Sequence, residues 1–266
     1  MNHLVNEHAP LLVNEELGRG IWLMTVEAPA IAAGARPGQF VHVRIPGMDD
    51  HILRRPLGIY AADAAAGTVD MMYQVLGFGT SRMTELAPGA AAVELIGPVG
   101  RGWQPPEDAR RALLVAGGVG SAPLHPLACE LAAAGADVTA VLGAGTAEAL
   151  VARERFCAAL GREPLCSTDD GTYGRAGFCT PLVAEALEEA AAEGRPFDYV
   201  ACCGPEPLMR LVAGLAAEAR VFCEVSLERR MACGVGACLS CVVDTVDGKR
   251  RACVDGPVFP AEEVVW

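Results

Sequence analysis

The chain has 266 residues, 52% of them hydrophobic, enough for two domains or a domain plus a small module with real cores. Its formal charge of −12 argues against nucleic acid or an anionic membrane as partner, because either would demand a basic face. No apolar run reaches membrane-spanning length, the opening MNHLVNEHAP lacks the basic and apolar regions of an export signal, and the odd count of eleven cysteines fits a reducing cytoplasm better than a disulfide framework.

Roughly the first hundred residues read as short strands, LLVNEEL, IWLMTVEA, QFVHVRI, GIYAAD, TVDMMYQVL and AAVELIG, separated by Gly, Pro and Asp. That spacing predicts an antiparallel barrel. From about Arg110 the pattern changes to apolar β runs followed by alanine-rich helical stretches: ALLVAGG then SAPLHPLACELAAAG, DVTAVLG, and DYVACCG then PEPLMRLVAGLAAEA. Such alternation is the signature of a parallel α/β sheet. From Val221 onward, loops and short strands surround four cysteines. The expected units are a barrel at 1–104, a nucleotide-type α/β domain at 105–222 and a cysteine-bearing module at 223–266, with a proline-rich boundary near Trp103 to Glu107.

Within the barrel, Arg54-Arg55-Pro56-Leu57-Gly58 places a guanidinium at a rigid turn before a strand, where it can pair with a pyrophosphate while the backbone lies along a flat ring. Taken alone, a solvated basic turn explains it as well. Tyr73-Gln74-Val75 then ends a strand, and Gly77-Phe78-Gly79-Thr80-Ser81 precedes a helix predicted to begin near Arg82. Close-approaching glycines, a hydroxyl and a helix start together suggest an anion cradle. Two such sites on one small barrel fit a flavin dinucleotide.

In the α/β region the strand ALLVA runs into Gly117-Gly118-Val119-Gly120-Ser121 and a helix, an arrangement that seats a dinucleotide phosphate, although the spacing is not the usual fingerprint. Cys203-Gly204-Pro205-Glu206-Pro207 closes another strand at the same carboxyl edge, so the two loops are expected to line one crevice. Each loop singly is also compatible with a plain structural turn.

Cys233, Cys238, Cys241 and Cys253 stand in ACGVGACLSCVVDTVDGKRRAC, with the C-x4-C-x2-C spacing of a plant-type 2Fe-2S site. Gly234 and Gly236 let the loop wrap tightly and turn amide N–H groups toward an anionic cluster. A structural zinc site more often shows two C-x2-C knuckles, and only Cys238 and Cys241 form one here. The other seven cysteines lack ligand-like grouping and read mostly as small buried hydrophobes. His3, His8, His42, His51 and His125 show no ligand spacing and are assigned surface or core roles.

The motif order RPLG, YQV, GFGT, GGVGSAPL, CGPEPLM, SLERRMACGVGACLSC and RACVDGPVF resembles the electron-transfer subunits of class 1B dihydroorotate dehydrogenases, within the ferredoxin–NADP reductase superfamily, over nearly the whole chain. Thr168-Asp169-Asp170-Gly171 with Gly174 and Gly177 is similar to that family's α/β domain as well. The resemblance implies FAD held by Arg55, Pro56, Leu57, Gly58, Tyr73, Gln74, Gly79 and Thr80. It implies NAD(H) bracketed by Gly117, Gly118, Gly120, Cys203, Gly204 and Pro205, and a 2Fe-2S cluster on the four cysteines. NADH is then expected to give a hydride to the flavin, which passes electrons singly through the cluster to or from an FMN-containing catalytic subunit, in a heterotetramer, during pyrimidine biosynthesis. No general acid, triad or catalytic metal is called for. An apolar patch of Met231, Val235, Ala237 and Leu239 is expected to face that partner.

Two departures stand out: Gly58 where the family usually has serine, and Phe78 where lysine is common. Within the same fold the alternative is a subunit of another reductase complex, of the ferredoxin–NADP or sulfide dehydrogenase type. A cysteine rather than aspartate at the first ligand position, Cys233, favours the dihydroorotate branch. A zinc or redox-sensing module is the alternative from a different class.

Overall fold

The computed structural model describes residues 4–266, so His3 lies outside the described residues. Six strands, β1 (Val5–Gly18), β2 (Ile21–Glu27), β3 (Phe40–Arg44), β4 (Arg55–Asp63), β5 (Thr68–Gln74) and β6 (Ala92–Val99), close into an antiparallel barrel of order β1-β2-β5-β4-β3-β6. Alternation along the strands decides what each face does: Val69, Met71 and Tyr73 of β5 point into the barrel core, and Met72 points out against the rest of the molecule. In β3, Val41 and Val43 face inward, which leaves Phe40 and His42 on the outer face. Two short helices, α1 (Pro29–Gly34) and α2 (Phe78–Met83), join these strands. The second begins at Phe78, not near Arg82 as expected, because the Thr80 hydroxyl accepts the backbone N–H groups of Leu76 and Gly77 at 2.9 and 3.2 Å and so closes the turn four residues earlier.

The second sheet holds β7 (Arg111–Gly117), β8 (Asp137–Ala144), β9 (Leu165–Thr168), β10 (Arg175–Ala176), β11 (Tyr199–Cys203) and β12 (Phe222–Ser226), all parallel, with α3 (Ser121–Ala133), α4 (Arg153–Leu160), α5 (Thr180–Ala192) and α6 (Glu206–Glu218) packed on its faces. Its central strand, β7, reads as an unbroken apolar run because both faces are covered; Ala112, Leu113, Leu114, Val115 and Ala116 are all buried. Strand order runs β10-β9-β8-β7-β11-β12, so the chain reverses direction of winding between β7 and β11. A reversal of this kind opens a crevice at the carboxyl ends of the two strands.

After β12 the chain forms the cysteine loop, the hairpin β13 (Val242–Thr245) and β14 (Gly248–Arg251), and β15 (Val258–Pro260), which lies antiparallel beside β12. The stretch expected as a third unit therefore contributes both β12 and β15 to the seven-stranded sheet. One continuous apolar core contains Phe40 of the barrel, Val225 of the sheet and Cys241 and Cys253 of the loop. The barrel is fixed to the α/β layer by Trp103, whose indole N–H donates to the Pro123 carbonyl at 2.8 Å, and by Arg155, which pairs with Asp70 at 2.9 Å while lying 4.6 Å over the Tyr60 ring.

Candidate functional site

Where barrel, sheet and cysteine loop meet there is a cavity of about 560 Å³. One wall is the start of β4, Arg55, Pro56, Leu57 and Gly58, and another is the end of β5, Met72, Tyr73 and Gln74, with Thr80 beyond. Gly79 stands directly under the Arg55 guanidinium, so a side chain there would have to displace it. The Tyr73 hydroxyl donates to Asn14 Oδ1 at 3.0 Å, so this residue keeps no free hydroxyl for the cavity it borders. Nothing in the packing demands glycine at 58, since an added Cβ would meet only Pro123 at 3.6 Å, an ordinary contact. Phe78 lies outside this lining, exposed, with its ring 4.8 Å from that of His51.

A second cavity, of about 740 Å³, opens at the β7–β11 switch point, lined by Gly117, Gly118, Gly120, Gly204 and Pro205. Close approach dictates the glycines: a Cβ on Gly204 would lie 2.9 Å from the Gly117 nitrogen, and one on Gly117 would lie 2.8 Å from Pro205 Cδ. Cys203 lines the first cavity instead, and burial pushes its thiol far up, so it serves as a neutral wall. Gln74, Leu76, Val119, Glu228 and Arg229 line both cavities, which are therefore continuous. Burial raises the Glu228 carboxyl above its ordinary value, and the neighbouring Arg229 guanidinium is drawn to Glu206 at 3.5 Å instead.

The charged residues lining this second cavity are Asp169, Glu206, Glu228 and Arg229, the last paired with Glu206; the others nearby lie outside the lining. Glu148, beyond β8, pairs with Arg19 at 3.1 Å. Arg153 is held by Glu163 at 2.7 Å and lies over the Tyr173 ring, and Arg155 is turned to the barrel by Asp70, so neither reaches inward.

The four cysteines stand as two pairs, Cys233 beside Cys238 and Cys241 beside Cys253. Cys241 and Cys253 are buried, Cys233 half-buried and Cys238 exposed. Val235 N–H points at Cys233 Sγ at 3.4 Å, and Ser240 Oγ lies 3.3 Å from Cys238 Sγ and holds that thiol down at about 6. Burial, then the neighbouring Cys241, pushes Cys253 up to about 12, so a bare thiolate is disfavoured there and a cation is wanted. Among the described residues no three His, Cys, Asp or Glu side chains converge as they would on a single ion. Four thiols brought together by one loop and the segment after β14 are a donor set that an iron–sulfur cluster takes.

Sequence reasoning missed several residues around these sites. Glu228, Arg229, Arg230 and Met231 line the first cavity, although SLERRM drew notice only as a prelude to the cysteines. Met231, expected on the exposed patch, is instead buried, 8% exposed, in the same core as Cys241 and Cys253; an apolar residue between a cavity and a core gains more there than in water. Val235, Ala237 and Leu239 are exposed, Leu239 by 61%. His42 has no exposed surface and no hydrogen-bond partner at either ring nitrogen, and burial followed by the Arg54 charge brings its pKa down to about 4.

A flavin reductase-like barrel and α/β pair joined to a cysteine loop defines the class, an oxidoreductase with an iron–sulfur cluster-binding domain. Residues 228–265 match the family model described as the iron-sulfur cluster binding domain of dihydroorotate dehydrogenase B. The chain is 39% identical over 249 residues to the dihydroorotate dehydrogenase B (NAD(+)) electron transfer subunit of Desulforamulus reducens, covering 92% of each, and 38% identical over 257 residues to that of Shouchella clausii, covering 94% of each. Among solved structures, the NADH-dependent reduced ferredoxin–NADP oxidoreductase superimposes with a TM-score of 0.86 at 31% identity, over 98% of this chain and 90% of that one. A ferredoxin reductase of carbazole 1,9a-dioxygenase, at 18% identity and TM-score 0.64 over 82% and 65%, shares the fold. The chain belongs to the electron-transfer subunits of dihydroorotate dehydrogenase B (NAD+), oxidoreductases of pyrimidine biosynthesis that work with a catalytic partner. Among the described residues no helix is long and apolar enough to cross a membrane.

Proposed function

We propose that the first cavity holds FAD, the second NAD(H), and the four cysteines a 2Fe-2S cluster, in a cytoplasmic heterotetramer with an FMN-containing dihydroorotate dehydrogenase catalytic subunit. Arg55, Pro56, Leu57, Gly58, Tyr73, Gln74, Gly79 and Thr80 would contact the flavin, Arg55 as the pyrophosphate counter-charge. Gly117, Gly118, Gly120, Gly204 and Pro205 would take the nicotinamide nucleotide, with Cys203 walling the flavin side. The working units are those at 1–104, 105–222 and 223–266.

The observation that carries this reading is continuity. Glu228 and Arg229 border both cavities, and Met231, two residues before Cys233, lines the first cavity while sharing a core with Cys241 and Cys253. When bound, a flavin supplies conversion between the two-electron chemistry of a hydride donor and the one-electron chemistry of a cluster. The chain's own residues contribute position: a dry wall of Phe40, Met231 and Leu227 between cavity and cysteines, and glycine backbones that admit phosphates. Anaerobic purification followed by flavin chromatography and iron and acid-labile sulfide assays tests it. One FAD, two irons and two sulfides per chain are expected; zinc without sulfide, or FMN in place of FAD, would refute the assignment.

A further inference from the structure

His42 sits on the outer face of β3, two residues beyond Phe40, which lines the first cavity, and opposite Pro56 in the β3–β4 register. Its ring is wholly buried, yet neither Nδ1 nor Nε2 has a partner. A buried imidazole with both nitrogens unpaired is costly because its N–H has given up water without gaining a partner, so some acceptor must justify its place. The strands around it do not supply one, because Arg54 already donates to the His42 carbonyl and to the Glu94 carbonyl, and the adjoining strands are paired with each other; the backbone acceptor that does approach the ring belongs to Cys233, on the cysteine loop, and it falls short of hydrogen-bond geometry.

What lies against the ring is the cysteine loop. Gly234, the residue after Cys233, rests on it so closely that a Cβ there would be 2.6 Å from Nδ1 and 3.1 Å from Cγ, and its φ of +69° is itself a glycine conformation. The loop is thus wrapped around the imidazole at its first cysteine. In either protonation state an imidazole carries at least one N–H. Sulfurs of an iron–sulfur cluster are anionic acceptors, and hydrogen bonds to them raise the reduction potential.

We propose that His42 is a positioning residue for the cluster: its ring N–H donates to a sulfur at the Cys233 corner, tying the flavin-bearing barrel to the cluster and raising the cluster's potential. The proposal rests on the four cysteines holding a 2Fe-2S cluster, which the iron and sulfide count decides independently. No other described histidine could take the role, since His125 is engaged with the Tyr60 carbonyl and Phe156, His51 lies against Phe78, and His8 sits on the far strand β1.

The test begins with native protein labelled with 15N only in histidine, reduced anaerobically and examined by pulsed EPR. A 15N coupling to the reduced cluster is expected; its absence, with iron and sulfide present, overturns the proposal without any variant. EPR-monitored redox titration then compares native protein with H42L, which has no donor, and H42Q, which retains one. In H42L the midpoint should fall by about 59 mV, a tenfold change in the one-electron equilibrium, and H42Q should recover much of it. Equal midpoints in all three with full iron content would overturn it. If H42L fails to retain the cluster, H42Q and the labelled native protein still decide.

Discussion

Cys238 is the exposed corner of the cysteine cluster, whose other three members are half or wholly buried, and a Ser240 hydroxyl already favours its thiolate. Replacing Cys238 with Ser should strip most of the iron while NADH still bleaches the flavin at a rate within about twofold of native, a difference under ~0.5 kcal/mol in barrier. Visible spectra and stopped-flow reduction read both, and full iron retention in single Ser variants of all four cysteines would cancel the ligand assignment. These cysteines were legible because ligand spacing within one loop is a local property. His42 was not, because its meaning depends on Gly234, nearly two hundred positions away, resting on its ring. For the same reason the Glu228–Met231 stretch was passed over: nothing local says that a turn after β12 will border two cavities.

At the scale of elements, β12 is held to the segment leaving the barrel by one buried carboxylate. Glu224 Oε2 accepts the Tyr199 hydroxyl at 2.6 Å and the Gln104 backbone N–H at 2.8 Å. Glu224→Ala would strand both donors in a dry site and should cost about 1–3 kcal/mol in chemical denaturation; Glu224→Gln keeps an acceptor and should cost less. Burial raises the folded-state pKa of this carboxyl above its unfolded value, so the native state binds more protons between the two values. Stability from this site is full below the unfolded value near 4.5 and declines as pH rises through the folded one, and Glu224→Gln should therefore compare more favourably with native protein at pH 8 than at pH 5. An unchanged difference across that range would contradict the assignment.

The loop after β8 carries the nucleotide preference. Its acidic Glu148 and the outward engagement of Arg153 and Arg155 leave that loop no cation for a 2′-phosphate, and Arg229, which lines the crevice, is paired with Glu206, so kcat/KM for NADH should exceed that for NADPH by at least about tenfold, ~1.4 kcal/mol. Comparable turnover with both would count against it. Strand and helix identities were legible where an unbroken apolar run such as β7 or a strong period-3.6 pattern such as α6 stands out, whereas α5 was not singled out. The early start of α2 was not legible, since it depends on the Thr80 hydroxyl capturing two backbone N–H groups.

For the whole molecule, the two cavities are continuous with each other, the first shares walls and core with the cysteine loop, and Val235, Ala237 and Leu239 stand exposed around the ligands. That sequence of sites begins at a nucleotide crevice and ends at an apolar surface suited to a partner. A cationic cavity of about 680 Å³, lined by Arg101, Lys249, Arg250, Arg251 and Asp255, shares no wall with the first cavity, the one assigned to flavin, so a dihydroorotate bound there would have no flavin beside it. Carbon oxidation is thus assigned to the catalytic subunit, and electron carriage to this chain. The most direct measurement is dihydroorotate-dependent reduction of NAD+ under anaerobic conditions, with this chain alone and after adding the FMN-containing catalytic subunit, alongside NADH-dependent dye reduction by the chain alone. Dye reduction without dihydroorotate turnover, and turnover restored by the partner with native chain and lost with Cys238→Ser, is the predicted result; dihydroorotate oxidation by the isolated chain, or undiminished coupling in the Cys238→Ser complex, would contradict it.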